Sequence, residues 1–205
     1  MRILAVVLAA GEGRRMGGPK ALVAAEAGTF LARACAALGR PSVGRVIAVL
    51  GAEAARVASE AGLSAAVSVC VNEGWRDGML TSVWAGLDAA EAAGAEAILV
   101  HPVDNPFVSA ATVDAVVAAL ERGARIAVPS HAGRRGHPAG FARAAFAALR
   151  AADPARGARS VLVEHPEWIV HVPAGPDCLV DVDTPADLRA SLNGSTKGKG
   201  RQQGP

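Results

Sequence analysis

The sequence predicts an α/β fold of the Rossmann-like, doubly wound kind, with a mostly parallel sheet covered by helices on both faces. Short apolar runs alternate with alanine-rich stretches along the chain, the pattern left by strands that cross over through helices. The first apolar run, Ile3-Leu4-Ala5-Val6-Val7, leads directly into a glycine-rich loop, where the first strand-to-helix turn of such folds meets its ligand. The composition is 51% hydrophobic but only 3% aromatic, with no tyrosine. A core built from Ala, Val, Leu and Ile suits alanine-rich helices packed on valine-rich strands.

In order along the chain, strands are expected near residues 2–8, 44–50, 65–71, 95–101, 125–129 and 168–172. Helices are expected near 29–38, 52–61, 79–92, 109–122, 143–151 and 185–191. Trp84 stands at helical spacing with Leu80 and Leu87, so it and Trp75 read as core rather than as ligand-stacking rings. Ser109 is placed to cap the helix that follows it, and Thr184-Pro185 opens the last helix with a cap and a proline at its first position. Right-handed crossovers put the loops after the strands at the carboxyl edge of the sheet, where open α/β folds bind ligands.

The 205 residues lie below the size at which cores split, so one domain over 1–192 suffices. The segment from Asn193 to Pro205, NGSTKGKGRQQGP, has no apolar residue except its terminal proline and is expected to be a disordered tail. A net charge of +2 does not indicate a nucleic-acid surface, and the basic residues matter where they cluster, at Arg14/Arg15/Lys20 and at Arg134/Arg135. Cys35, Cys70 and Cys178 are odd in number and lack zinc-binding spacing, which points to a reducing compartment. The first apolar run is too short to span a bilayer and no signal-peptide pattern follows it, so a cytoplasmic protein is expected.

The loop Leu8–Lys20, LAAGEGRRMGGPK, is the most informative segment. Gly11, Gly13 and the Gly17/Gly18 pair let backbone N–H groups turn toward a ligand, while Arg14, Arg15 and Lys20 supply positive charge, which together make a polyphosphate cradle. A P-loop would need Ser or Thr after its lysine, but Gly13-x4-Gly18 is followed by Pro19, Lys20 and Ala21. The dinucleotide fingerprint starting at Gly11 would place its third glycine on Met16, and no clear acidic residue ends the second strand near Leu50.

Further blocks follow: Asn72-Glu73-Gly74-Trp75, Gly78-Met79-Leu80-Thr81-Ser82 with Ala85-Gly86-Leu87, Pro102-Val103-Asp104-Asn105-Pro106, Gly136-His137-Pro138, and Asp181-Val182-Asp183-Thr184-Pro185-Ala186-Asp187-Leu188. In this order, over residues 3 to about 190, they resemble the nucleotidyltransferases that make the guanosine and cytidine dinucleotide forms of the molybdenum cofactor. The resemblance implies that Leu8, Ala9, Ala10, Gly11, Gly13, Arg15 and Lys20 hold a nucleoside triphosphate. It also implies that Arg135, Gly136, His137 and Pro138 lie on the side of a phosphorylated acceptor, molybdopterin. A molybdoenzyme or its chaperone would then receive the product.

Asp104, just past a strand and between two prolines, is well placed to hold Mg²⁺ against a triphosphate. Asp181 and Asp183 alternate along what reads as a late strand, and either could be the second ligand. Asn72, Gly78 and Ser82, polar or small after the third strand, could contact base or ribose. For His137, a general base and a residue that fixes a turn are both open. His101 departs from the small residue expected before Pro-x-Asp and reads as packing at a strand end. The chemistry implied is in-line attack of an acceptor phosphate on the α-phosphorus with loss of pyrophosphate, Arg15 and Lys20 neutralising the leaving group. Ala10, where guanylyl-transferring members carry glycine, would narrow the space beside the base and favour CTP. A sugar- or alditol-phosphate nucleotidyltransferase and a non-catalytic nucleotide-binding chaperone are the alternatives.

Overall fold

The computed structural model describes residues 1–198. In chain order its elements are β1 (Ile3–Ala9), the short strands β2 (Ala24–Ala25) and β3 (Gly28–Thr29), α1 (Phe30–Leu38), β4 (Val43–Leu50), α2 (Ala54–Glu60), β5 (Val67–Val71) and α3 (Met79–Ala92). There follow β6 (Ala97–Pro102), α4 (Ala110–Glu121), β7 (Ile126–His131), β8 (Arg134–Arg135), β9 (Ala139–Ala142), α5 (Phe146–Arg150), α6 (Arg159–Glu164), β10 (Ile169–Pro173) and α7 (Pro185–Gly198).

The main sheet runs β10-β7-β9-β6-β1-β4-β5, with β8 paired to β7. Pairs β1–β4, β1–β6, β4–β5 and β7–β10 are parallel, whereas β9 is antiparallel to both β6 and β7. All seven residues of β1 are buried, as a central strand covered on two faces requires. Its side chains alternate between two cores: Ile3, Ala5, Val7 and Ala9 face one shared with α1 and α4, and Leu4, Val6 and Leu8 face one shared with α3 and α5.

The six expected strands and six expected helices are all present, and the fold is the mostly parallel, doubly covered one that the alternation predicts. Helix α1 is capped by the Thr29 hydroxyl and α4 by that of Ser109, each accepting from the N–H three residues on. At the last helix the Thr184 hydroxyl accepts from the Asp187 N–H, while the Asp187 carboxylate accepts from the N–H groups of Asp183 and Thr184. That helix continues beyond residue 192, where the sequence places the end of the domain, as far as Gly198; the remainder of the expected tail, 199–205, lies outside the described residues. Among the described residues no helix is long and apolar enough to cross a membrane.

Two features differ from expectation. Strand β9, helix α6 and the two-residue strands β2, β3 and β8 have no counterpart in the predicted elements. The segment of Asp181 and Asp183 is not a strand: it is irregular chain after a 3-10 turn at Pro176–Leu179, joined to the end of β6 by a single backbone bond from the Val182 N–H to the Asp104 carbonyl (2.7 Å).

Candidate active site

The loop after β1 folds as two 3-10 turns, Arg14–Met16 and Lys20–Leu22. Gly13 enters the first with φ 65°, and a Cβ there would lie 2.0 Å from the Gly18 carbonyl oxygen, so only glycine closes this loop. The loop walls a cleft of about 250 Å³ with Leu8, Gly11, Gly13, Arg14, Arg15 and Lys20. Met79, at the start of α3, and Pro102, Val103 and Asp104, at the end of β6, face it.

Lys20 is the centre of the charged part. Its ammonium donates to Asp104 Oδ2 (3.1 Å) and Asp183 Oδ1 (2.5 Å), and Arg15 Nη2 adds a bond to Asp183 Oδ1 (3.0 Å). Residues from three distant stretches of chain thus meet at one point. Burial acts to lower the Lys20 pKa, but the bonds and charges of Asp183 and Asp104 outweigh it and hold the ammonium above its ordinary value. The Lys20 hydrogen bond in turn holds Asp183 below the usual carboxylate range. Asp181 is driven the other way, first by burial and then by the charge of Asp104; its Oδ1 is 3.5 Å from the amide nitrogen of Asn105.

The Gly136-His137-Pro138 motif, expected on the acceptor side, sits beside this cluster. Gly136 packs so closely on the 176–179 turn that a Cβ would lie 2.3 Å from the Cys178 carbonyl oxygen, and the His137 N–H donates to that oxygen (2.9 Å). Pro138 leads into β9. The His137 side chain is half-buried, and the loss of solvent around its ring lowers its pKa, with Asp181 and Asp104 only partly offsetting this; its Nδ1 is shut off from solvent and has no hydrogen-bond partner among the described residues. Arg135 is exposed and its Nη1 reaches the Leu162 carbonyl (3.4 Å) on α6, not the carboxylates.

Other candidates are placed differently from their expected role. Asn72 and Ser82 are 7% and 3% exposed, and the Asn72 amide donates to the hydroxyls of Thr81 (2.8 Å) and Ser82 (3.0 Å) while its oxygen accepts from the Gly74 N–H. They brace the chain between β5 and α3 instead of offering free groups to the cleft. Gly78 lies at the turn into α3 with φ 112°, and it is the next residue, Met79, 65% exposed, that reaches the cleft. Sequence reasoning missed Met79 because an apolar residue at a helix start gives no signal of its own. Ala9 and Ala10 are buried. The Ala10 methyl packs over Gly51 beside Trp75, since a Cβ on Gly51 would lie 2.8 Å from it and 2.7 Å from the indole, and it does not wall the cleft. Trp84 is half-buried against the core, with its Nε1 donating to the Leu149 carbonyl (2.8 Å).

Residues 5–168 match the family described as the MobA-like NTP transferase domain. The chain belongs to this family. Its relatives include a protein named nicotine blue oxidoreductase from Paenarthrobacter nicotinovorans, 37% identical over 82% of this chain and 84% of that one. A molybdenum cofactor guanylyltransferase from Rhodobacter capsulatus is 33% identical over 92% of this chain and 94% of that one. Among solved structures, a mycobacterial homologue (strain JC1) of the Mycobacterium tuberculosis protein Rv0371c superposes with TM-score 0.79 at 27% identity, covering 97% of this chain and 100% of its own. The Mycobacterium tuberculosis protein, in complex with manganese, gives TM-score 0.69 at 27% identity over 94% and 99% of the two chains. MobA-like membership makes the chain a nucleotidyltransferase by family. The relatives named for nucleotidyl transfer to the molybdenum cofactor carry the guanylyl name, which runs against the cytidine preference read from Ala10.

The residues present fit a divalent cation in one particular way. Among the described residues no three His, Cys, Asp or Glu side chains form a ready cage. Two carboxylates, Asp104 and Asp183, nevertheless converge on one ammonium. Mg²⁺ bound by one or two carboxylates, with waters and substrate phosphates completing its shell, needs no more than this.

Proposed function

We propose that the protein transfers GMP from GTP to the terminal phosphate of molybdopterin, releasing pyrophosphate, with Mg²⁺ held by Asp104 and Asp183. The observation that carries this reading is the convergence of Lys20, Asp104 and Asp183 at the mouth of the glycine loop. Backbone N–H groups around Gly11 and Gly13, with Arg15 and Lys20, bind the β- and γ-phosphates. An oxygen of the acceptor phosphate attacks the α-phosphorus in line, the bond to the bridging oxygen breaks, and pyrophosphate leaves with the electron pair. The acceptor phosphate is already ionised and needs no general base. A bound Mg²⁺ would supply charge neutralisation at the phosphates; the chain itself positions both reactants and presents cations to the leaving group.

His137, its free Nδ1 buried beside the acidic turn, lies where the acceptor would enter and serves to orient it. Guanine as the base is supported by the names of relatives at 33% and 36% identity. A cytoplasmic location agrees with three free cysteines. The test is incubation with molybdopterin, Mg²⁺ and each of GTP, CTP, ATP and UTP, following pyrophosphate release and product mass. GTP-dependent formation of a guanosine dinucleotide is expected. Product from CTP alone would restore the cytidine reading, product only with a sugar or alditol phosphate would move the acceptor, and nucleotide binding without pyrophosphate would leave a chaperone. A second reading takes its support from the relative at 37% identity: a redox reaction on a nicotine-blue-like dye. Dye reduction with NADH or NADPH, at a rate above that of dinucleotide formation, would favour it.

A further inference from the structure

His101 is a polar ring in a position that packing alone does not explain. It lies in β6, opposite Val7 of β1, and is fully buried. Its Nε2 is 2.9 Å from the Asn105 carbonyl oxygen. A carbonyl only accepts, so the ring is the tautomer protonated at Nε2 and its Nδ1 is a bare acceptor, without a partner among the described residues. Burial, with the His137 ring 6.4 Å away adding to it, pushes the His101 pKa down to about 3, so the ring is neutral in ordinary buffers. A leucine would fill the place without leaving a nitrogen unsatisfied.

What the ring does is close the turn that carries Asp104. The His101–Asn105 bond spans it, and the Asn105 N–H to Pro102 carbonyl bond (3.2 Å) closes it again inside. Asn105, also fully buried, then donates its amide to the Cys178 carbonyl (3.2 Å), the oxygen that also accepts from the His137 N–H. The Asp104 carbonyl takes the N–H of Val182, between Asp181 and Asp183. The two chain segments that bear Asp104 and Asp183 are therefore tied on both sides of Asp104, and His101 holds the knot.

We propose that His101 is a positioning residue for the carboxylate pair: through the Asn105 carbonyl it sets the orientation of the Asp104 turn against the segment of Asp183, and so the affinity of the pair for a divalent cation. This rests on the metal reading above. The experiment compares wild type, His101→Leu, His101→Asn and His101→Gln in the full chain, by electron paramagnetic resonance of Mn²⁺ titrated without nucleotide and by melting temperature. Gln can place an amide N–H near the position of Nε2, whereas Asn reaches only about as far as Nδ1 and Leu offers no donor. Outer-shell partners of metal ligands typically change affinity about tenfold to a hundredfold.

We expect Mn²⁺ binding at least about tenfold weaker in His101→Leu and His101→Asn, and within about threefold of wild type in His101→Gln, whatever the order of melting temperatures. If the leucine variant does not fold, the Asn/Gln comparison decides alone. Affinity that follows melting temperature rather than the Nε2 donor, or equal affinity in all four, would overturn the role of His101 while leaving the metal reading in place. Absence of Mn²⁺ binding in the wild type would overturn both.

Discussion

Replacing Lys20 with methionine should weaken catalysis and, in the same protein, tighten metal binding. The ammonium sits between Asp104 and Asp183, at 3.1 and 2.5 Å, in the place that a divalent cation would take. Metal entry therefore has to give up those two ion pairs. The lysine side chain is 14% exposed but the carboxylates are 26% and 41% exposed, so each pair is screened toward the roughly 0.5–1 kcal/mol of partly open ion pairs and falls well short of a buried one. Together they oppose the metal by about 1–2 kcal/mol, and Lys20→Met should bind Mn²⁺ in the absence of nucleotide about five- to thirtyfold more tightly. Turnover should move the other way. A charged contact to the departing phosphates is worth about 2–4 kcal/mol in the transition state, a loss of about a hundredfold or more in kcat. Isothermal titration with Mn²⁺ and pyrophosphate release with GTP read the two effects separately. Weaker Mn²⁺ binding in the variant, or turnover within tenfold of wild type, would refute the competition between ammonium and metal.

Asp104→Asn and Asp183→Asn should each lower turnover about a hundredfold with the fold retained, whereas Asp181→Asn, which shares no bond with Lys20, should stay within about tenfold; circular dichroism and steady-state rates check the order, and the largest loss at Asp181 would reassign the second ligand. Stability should fall with acid below about pH 6.5: His101 titrates near 6.5 when unfolded but at about 3 when folded, so between these values the unfolded chain binds more protons and each unit of pH removes up to about 1.4 kcal/mol. Urea titrations at pH 7, 6 and 5 should show this slope in wild type and a smaller one in His101→Gln, His137 contributing with the same sign; equal slopes would contradict it. Ala10→Gly should leave the ratio of GTP to CTP specificity constants unchanged and lower stability by about 1 kcal/mol, because the methyl packs over Gly51 and the backbone gains freedom; a change in that ratio would put the methyl back beside the base.

The sequence made the fold legible because each strand of the parallel part is a separate apolar run with an alanine-rich helix after it. Strand β9 was not legible: Ala139-Gly140-Phe141-Ala142 is four residues long with a glycine inside, too short for either periodicity to show. At the site, the glycine loop, Lys20 and Asp104 could be read from spacing, since local turns decide where such residues point. The pairing of Asp183 with Asp104 could not, because it depends on bonds between residues 78 and 73 positions apart in the chain, Asp104 with Val182 and Asn105 with Cys178. Asn72 and Ser82 read as ligand contacts in the sequence because polarity near a carboxyl edge looks the same whether a side chain is free or, as here, spent on its neighbours. The methyl of Ala10 shows the same limit: a strand end has two sides, and only the packing of Gly51 and Trp75 tells which one the side chain takes.

The reversed strand β9 divides the sheet into two kinds of territory. Strands β6, β1, β4 and β5 form one continuous parallel block, with the glycine loop at the end of β1, while β7 and β10 form a second parallel pair, and β9, antiparallel to both β6 and β7, is the seam between them. Because β9 runs backwards, the segment that begins it, Gly136 to Pro138, arrives at the same edge as the ends of the parallel strands without needing a crossover helix. The β7–β8 hairpin and the turn from β8 into β9 can thus be lengthened, recharged or exchanged while the four residue pairs between β6 and β9, Ala97 with Ala142 through Val100 with Ala139, keep the register. On the proposed assignment of Gly136–Pro138 to the acceptor side, a scaffold built this way can acquire a new acceptor by remodelling one turn, with the glycine loop left untouched on the other side of the seam.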